Sequence, residues 1–558
     1  MMVLGYFVIG LLTISLSLGL ECPVKECTCK NKIINCRNKG LTSIPEITPS
    51  SSYREITFEN SVDPTEKIHS NNPKLNKISI LHANAFKGLK VEKINLGKAG
   101  VREVRDGAFS GLETSLKDLV LGGAHVNQPP LYSLEGLEKL KRLELQNFVL
   151  NTLKKSLFAI DNLFRLESLK LINMKTHFVL EDSLEDFKNL KHLEISGNPN
   201  LKFYPASAIW RVKSLQELVF KNDGIVKVPG WAFYDLPNLK LLDLSRNEIR
   251  TIRPGAFKNV SATLEKLDLT GNALTTDSLQ TFTTYDWKNL RNLRILYNKI
   301  TGLPDNMFSK MEKLESLEMQ LNALRRLTSN DLTPLTNLKH LDLSDNLITE
   351  IQADALNLPA LQTLRLLNLN TVKSVVSINN AFGGVKGALV KVDMKENNFR
   401  GNELWGEIAH LTNVTELDIS ETGLNELPKS AFINNKQIQK LGMSKNNLGP
   451  SLSADQLNGL QGSLEQLRLN NNRLQSLDNC IFEKQFPKLK LVTLYGNPLK
   501  CDCALGGLQK WLKGRPFFFS YIVQAVCASP TSEVGKNLRK ATLKDDQRGT
   551  CTNKPYCA

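Results

Sequence analysis

The chain has 558 residues, 41% hydrophobic and 23% charged, and its 71 Lys and Arg against 56 Asp and Glu leave a formal net charge of +15. Beyond the first residues no run of about 18 apolar side chains could cross a membrane, so an internal membrane span is excluded. In a chain bound for the cell exterior, the basic excess points to sulfated glycosaminoglycans, anionic lipids or microbial polymers rather than genomic DNA.

Residues Leu4 to Leu18 form a mostly apolar run, with Ser17 and Gly19 as small residues at the spacing of a cleavage site. Residues 1–19 therefore read as a secretory signal peptide, although no Lys or Arg precedes the run, and the mature chain would begin near Leu20. Four cysteines, Cys22, Cys27, Cys29 and Cys36, fall within residues 20–52, and an irregular turn covers Tyr53 to Lys90. From there one frame, Leu-x-x-Leu-x-Leu-x-x-Asn, returns about every 24–26 residues. It is cleanest at Leu239 to Asn247, Leu264 to Asn272, Leu338 to Asn346 and Leu464 to Asn472. Frames open at Val91, Leu116, Leu140, Leu166, Leu190, Leu215, Leu239, Leu264, Leu290, Leu314, Leu338, Leu361, Leu389, Val414, Ile438, Leu464 and Leu489.

Each frame predicts a short strand whose leucines point inward, and an Asn that bonds backbone groups where the chain turns away. A second column lies ten residues past the Asn position: Phe109, Phe158, Phe233, Phe257, Phe282, Phe308, Phe432 and Phe482, with Leu134, Leu184, Leu332 and Leu356 in equivalent slots. It should form an aromatic spine inside the convex side. Ala99, Ala124, Phe148 and Met174 stand where Asn is expected, so the N-terminal third should be less regular, with the Asn ladder regular from Asn198 onward. The frame at Leu361 has Leu369 at the Asn position, and Phe382 comes three places late. A bulge is expected there, either a plain insertion or a contact loop.

After the last frame come Asn497-Pro498-Leu499-Lys500-Cys501-Asp502-Cys503, Trp511-Leu512, Cys527 and Cys551. Stacked repeats expose apolar core at both ends, and disulfides can staple caps too small to hold themselves. The chain resembles the extracellular leucine-rich repeat family with N- and C-terminal cysteine caps, which includes Slit, Toll ectodomains, the acid-labile subunit and the carboxypeptidase N large subunit. That resemblance implies an α/β solenoid: a leucine-rich repeat horseshoe with a parallel concave sheet and disulfide-capped ends. Residues 20–52 would be the N-terminal cap, 53–496 an array of about 18 repeats, and 497–558 the C-terminal cap with a basic tail. The resemblance also implies the pairs Cys22–Cys29, Cys27–Cys36, Cys501–Cys527 and Cys503–Cys551. Cys480 and Cys557 fall outside its pattern. They are expected to bridge each other, and a free or intermolecular thiol, permitting a covalent dimer, stays open.

No catalytic motif, nucleotide fingerprint or cofactor site is legible, and the seven histidines show no metal-ligand spacing. The outward position between the inner leucines reads Glu144, Lys170, Glu194, Val219, Asp243, Asp268, Arg294, Glu318, Asp342, Arg365, Asp393 and Asp418. The preceding outward position offers Arg142, His192, Lys266, His340, Lys391 and Lys440. The row reads either as solubilising charge or as an acidic stripe for a basic protein surface, with Arg294, Tyr297 and Arg365 as anchors. Lys536, Arg539, Lys540 and Lys544 form a basic tail for a sulfated polysaccharide or other polyanion, or a solvated surface. Basic residues there are not interleaved with aromatics, which argues against nucleic acid. Asn259 and Asn413 head sequons for glycosylation. The expectation is a secreted, non-enzymatic binder of an extracellular protein, with no cofactor and no transmembrane anchor. The alternatives are a non-catalytic scaffold of a secreted enzyme complex and a polyanion-binding matrix or pattern-recognition component.

Overall fold

A computed structural model describes residues 22–48, 52–60, 74–123, 128–385, 387–429, 431–516, 522–545 and 549–550. The expectations for residues 1–19, Ala124, Cys551 and Cys557 lie outside the described residues. The chain divides into two compact units, Met1–Asn151 with Lys155–Lys175, and Thr152–Lys154 with Thr176–Ala558.

Every frame yields one strand, and adjacent strands run parallel within each unit, in constant register except for a shift between Leu96 and Val101 in the first unit. In the first unit Leu119, Leu143 and Leu169 stand side by side. In the second, Leu242 pairs with Leu267, Leu267 with Leu293, Leu293 with Leu317 and Leu317 with Leu341. A one-residue slip would turn these leucines to solvent, and all of them are buried. The return segments are mostly turns and short 3₁₀ pieces, with α-helix at Ala206–Ile209, Thr281–Thr284, Glu403–Ile408 and Gly506–Lys513. The chain is a leucine-rich repeat solenoid.

The ladder asparagines hold successive turns together through all their amide atoms. Asn247 donates to the carbonyls of Phe220 and Leu244, both at 2.8 Å, and accepts from the Asp223 and Ile225 amides at 3.0 and 3.1 Å. Where an apolar residue takes the slot, backbone replaces the side chain: the Leu150 amide donates to the Met174 carbonyl at 2.7 Å. Phe148 fits because a Cβ on Gly123 would lie 2.7 Å from its ring, space that only glycine leaves. The expectation of a regular Asn ladder from Asn198 is corrected at Asp223 and Thr422, which occupy Asn slots and are buried.

Behind the sheet the phenylalanine column is buried from Phe86 to Phe432, with Phe233 and Phe257 stacked at 5.4 Å and Phe257 and Phe282 at 6.2 Å. Phe482 departs from the expectation. It is only half-buried, because the array ends there and its ring meets Trp511 of the C-terminal helix at 5.7 Å. The late Phe382 is buried too. The extra residues lie between Leu369 and Phe382 and expose Val372 and Val375. The far part of this bulge is clamped from the next turn, where Glu403 accepts from the Ile378 amide and Glu407 from the Phe382 amide at 2.8 and 2.7 Å.

Disulfides join Cys22 to Cys29, Cys27 to Cys36 and Cys501 to Cys527. In the N-terminal cap, Thr28–Lys30 pairs antiparallel with Ile33–Asn35, which continues in parallel to Tyr53–Thr57. The first turn of the array thus has a strand seated on its open edge. Cys480 and Cys503 are also disulfide-bonded.

Candidate functional site: the outward row of the sheet

Strict register turns the outward positions of the second unit into one continuous row, from Glu194 through Val219, Asp243, Asp268, Arg294, Glu318, Asp342, Arg365 and Asp393 to Asp418. In the first unit Glu144 stands beside Lys170. The acids in the row are already engaged. Arg294 spans two turns, reaching Asp268 at 2.8 Å and Glu318 at 3.2 Å, and Arg365 lies 3.8 Å from Asp342. Burial works against the Arg294 charge, but Asp268 and Glu318 outweigh it and its pKa rises.

The aspartates also carry a structural task that the frame did not announce. Asp243, Asp268, Asp342 and Asp418 each accept the amide two residues on, at Ser245, Thr270, Ser344 and Ser420, at 2.8 to 3.0 Å. They are the acceptors that stop the strand and start the turn, a local bond that Asp makes readily. Partial burial among these neighbours pushes the carboxyls of Asp243 and Asp393 up, against the hydrogen bonds that pull them down.

The preceding outward row is paired as well. Glu416 takes Lys440 at 2.7 Å and Lys391 at 3.3 Å, and the Lys440 hydrogen bond leads in lowering its pKa. His192 bonds Glu217 at 2.8 Å. Asp118 faces Arg142 at 2.6 Å, and the hydrogen bond between them leads in raising the Arg142 pKa. Lys266 and His340 are exposed, in strands Lys266–Asp268 and His340–Asp342.

The row continues past Asp418 to Gly442 and Arg468. Sequence reasoning stopped short of these two, although the frames at Ile438 and Leu464 place them at the same offset. A Cβ on Gly442 would lie 2.4 Å from the Asp418 carboxylate, so the missing side chain lets Asp418 lean across. A depression of about 330 Å³ opens here, rimmed by Arg365, Lys391, Lys440 and Arg468.

Beside the row runs a column in which the residue just before each ladder slot has positive φ. Asn222, Asn368 and Asn471 tolerate it, but Tyr297 at φ 55 and Leu321 at φ 59 sit there too, both exposed, at 65% and 44%. A bulky side chain in left-handed backbone is strained, and strain that persists on a surface marks a place to look for function.

The remaining expected positions fall elsewhere. Of the basic tail, Lys536 pairs with Glu533 at 3.1 Å, and Arg539 donates to the carbonyls of Leu512 and Arg515, both at 2.7 Å, at the end of the helix Gly506–Lys513. Lys544 is exposed. Asn259 is exposed in a turn, whereas the Asn413 amide donates to the Gly387 carbonyl at 2.7 Å. Among the described residues no cluster of three His, Cys, Asp or Glu could hold a metal ion, and no helix is long and apolar enough to cross a membrane.

Comparison with known proteins follows the same divisions. Residues 21–47 match the leucine rich repeat N-terminal domain, 54–178 the BspA type leucine rich repeat region, and 213–274, 262–324 and 288–348 the leucine rich repeat. Toll-like receptor 4 of Bos taurus is 25% identical over 470 residues, covering 82% of this chain and 48% of the receptor. The TLR13–ssRNA13 complex superposes with a TM-score of 0.55 at 23% identity, covering 82% of this chain and 67% of that one. The Drosophila Toll–Spatzle complex gives 0.54 at 20% identity, covering 82% and 58%. The chain spans about half or less of the length of the Toll-like receptors it matches. It is a leucine-rich repeat protein with a leucine-rich repeat N-terminal cap, of the extracellular kind that resembles the Toll ectodomains.

Proposed function

We propose that this protein is a secreted, non-enzymatic binder that engages a protein ligand across the outward row between Asp243 and Asp418. In this reading residues 1–19 are removed as a signal peptide, residues 20–52 and 497–558 cap the array, and residues 53–496 carry recognition. The observation behind the proposal is the in-register row of acids interrupted by Arg294 and Arg365, with exposed, strained Tyr297 and Leu321 alongside it. Fixed charges in register give orientation and association rate, and exposed Tyr and Arg are favoured hot spots. Kinship with Toll-like receptor 4 and the fold shared with Toll, solved as a complex with Spatzle, support a ligand-binding role.

The test must separate charge from structure, because these aspartates also hold turns. Asp268→Asn and Asp342→Asn keep the oxygen that accepts the amide and remove the charge. Wild-type and doubly substituted protein would each be used to capture ligands from the native extracellular fluid, with mass spectrometry as the readout. A protein retained by wild type and lost or slowed in association with the double variant is expected. Equal capture by both would remove the row from the recognition surface, and retention of RNA alone would refute a protein ligand.

A further inference from the structure

The cations on the sheet face are largely paired with acids, but those on the flank that follows it are not. Lys227, Arg250, Arg253, Lys299, Arg325 and Arg326 are all exposed, and among the described residues none makes an ion pair or side-chain hydrogen bond. Backbone bonds fasten these segments turn to turn: the Arg250 amide to the Val226 carbonyl, Ala273 to Ile249, Lys299 to Leu274 and Ala323 to Ile300, each at 2.9 Å. Lys227 stands in register with Thr251. The six cations therefore share one flank across five consecutive turns, about 19 Å at the usual ~4.8 Å strand spacing, with Arg250 and Arg325 at one position of their turns, Lys227 and Arg326 one residue further on, Lys299 two residues earlier and Arg253 three later.

Between the two basic ends lie Thr275, Thr276 and Thr301 and one carboxylate, Asp277, and Glu350 stands in register beside Arg326. Glu248, the other nearby acid, is committed to Lys202 at 2.9 Å. Six cations against Asp277 and Glu350 leave the flank net positive, and a bound polyanion lowers the cost of that repulsion while releasing its own counterions.

We propose that this flank is a binding site for a linear sulfated polysaccharide lying across the turns, with Arg250, Arg325 and Arg326 as its principal contacts. A band of cations running across the turns matches a linear chain of repeated anions, and the Thr276 and Thr301 hydroxyls between them are already bonded to each other and to the Gly302 carbonyl, which leaves the charged groups as the contacts. Residues 225–229, 249–254, 273–278, 299–303 and 323–328 contain no aromatic residue. Single-stranded nucleic acid binders rely on aromatic stacking platforms, so the sulfated polymer is the better fit. This site is separate from the protein-binding row and independent of it.

The test uses the full-length secreted protein and size-defined heparin oligosaccharides, measured by calorimetry across a salt series and by elution from heparin resin. The triple variant Arg250→Gln, Arg325→Gln, Arg326→Gln should bind more than about tenfold more weakly near 0.15 M salt, with a shallower salt dependence. Its melting temperature should match wild type, since no internal bond is lost. A Lys540→Gln, Lys544→Gln control should keep wild-type affinity. Unchanged heparin affinity in the triple variant, or equal loss in the control, overturns the proposal. So does tighter binding of a single-stranded RNA of matched charge that the triple variant abolishes.

Discussion

Asp223 shows what a single atom means in a ladder slot. Its Oδ1 accepts from the Asn198 backbone and side-chain nitrogens at 2.8 and 2.9 Å, while Oδ2, where the other turns have an NH₂, is buried without a partner. Burial raises its pKa from 3.8 to about 8. The stability carried by the neutral carboxyl is therefore complete below 3.8 and lost as pH rises through about 8. Asp223→Asn should flatten that fall and gain about 1–3 kcal/mol at the alkaline end by restoring the missing donor. Denaturant titrations on both sides of the window check this, and a variant as pH-sensitive as wild type refutes it. Tyr297 makes the opposite trade. Asn occupies the same left-handed slot at Asn222, Asn368 and Asn471, so Tyr297→Asn should raise stability by roughly 1 kcal/mol while weakening ligand binding. A lower melting temperature would mean that the ring is needed for packing.

Among the elements, the frame at Leu361 is the most informative. Its late phenylalanine announced an insertion, but which groups would hold it was not legible, because the two carboxylates that do so come from the following turn. Glu407 is buried, and desolvation pushes its pKa up against the amide bonds that lower it. Glu407→Ala should cost about 1–3 kcal/mol by orphaning the Phe382 amide, and Glu407→Gln should recover most of it. Hydrogen exchange at Ile378 to Phe382 should quicken in the alanine variant only. Equal exchange in all three proteins would show that the bulge holds without this clamp. In the first unit, Phe148 and Met174 were legible as irregular; Phe148 is tolerated because Gly123 leaves room for its ring, and Met174 because its backbone carbonyl takes the Leu150 amide, a bond to which side-chain patterns are blind.

For the whole molecule, stability resides in contacts between neighbouring turns and in the ends. Leu267→Ala should cost roughly 2–5 kcal/mol, since it leaves a cavity in a core with no second layer to close it. Replacing Cys27 and Cys36 with Ser should cost about 2–5 kcal/mol, and the loss should appear first as faster exchange in Tyr53–Thr57, the strand seated on the cap. Uniform loss along the chain would indicate that the cap is not the local lock described here.

What the sequence determined by itself was the frame: one strand per turn, the inward leucines, most of the Asn ladder, the buried phenylalanines and the row of outward charge. These follow from period and residue type, because each position in a repeat meets its counterpart one turn away. Which charges are neutralised was decided by tertiary structure alone. Arg294 is paired and Arg250 is not, since an ion pair depends on a few ångströms between side chains about two dozen residues apart. The same reason withdrew Arg539 into the carbonyls at a helix end, left the Gly442 depression open between charged rims, and gathered on one flank six cations that make no ion pair among the described residues.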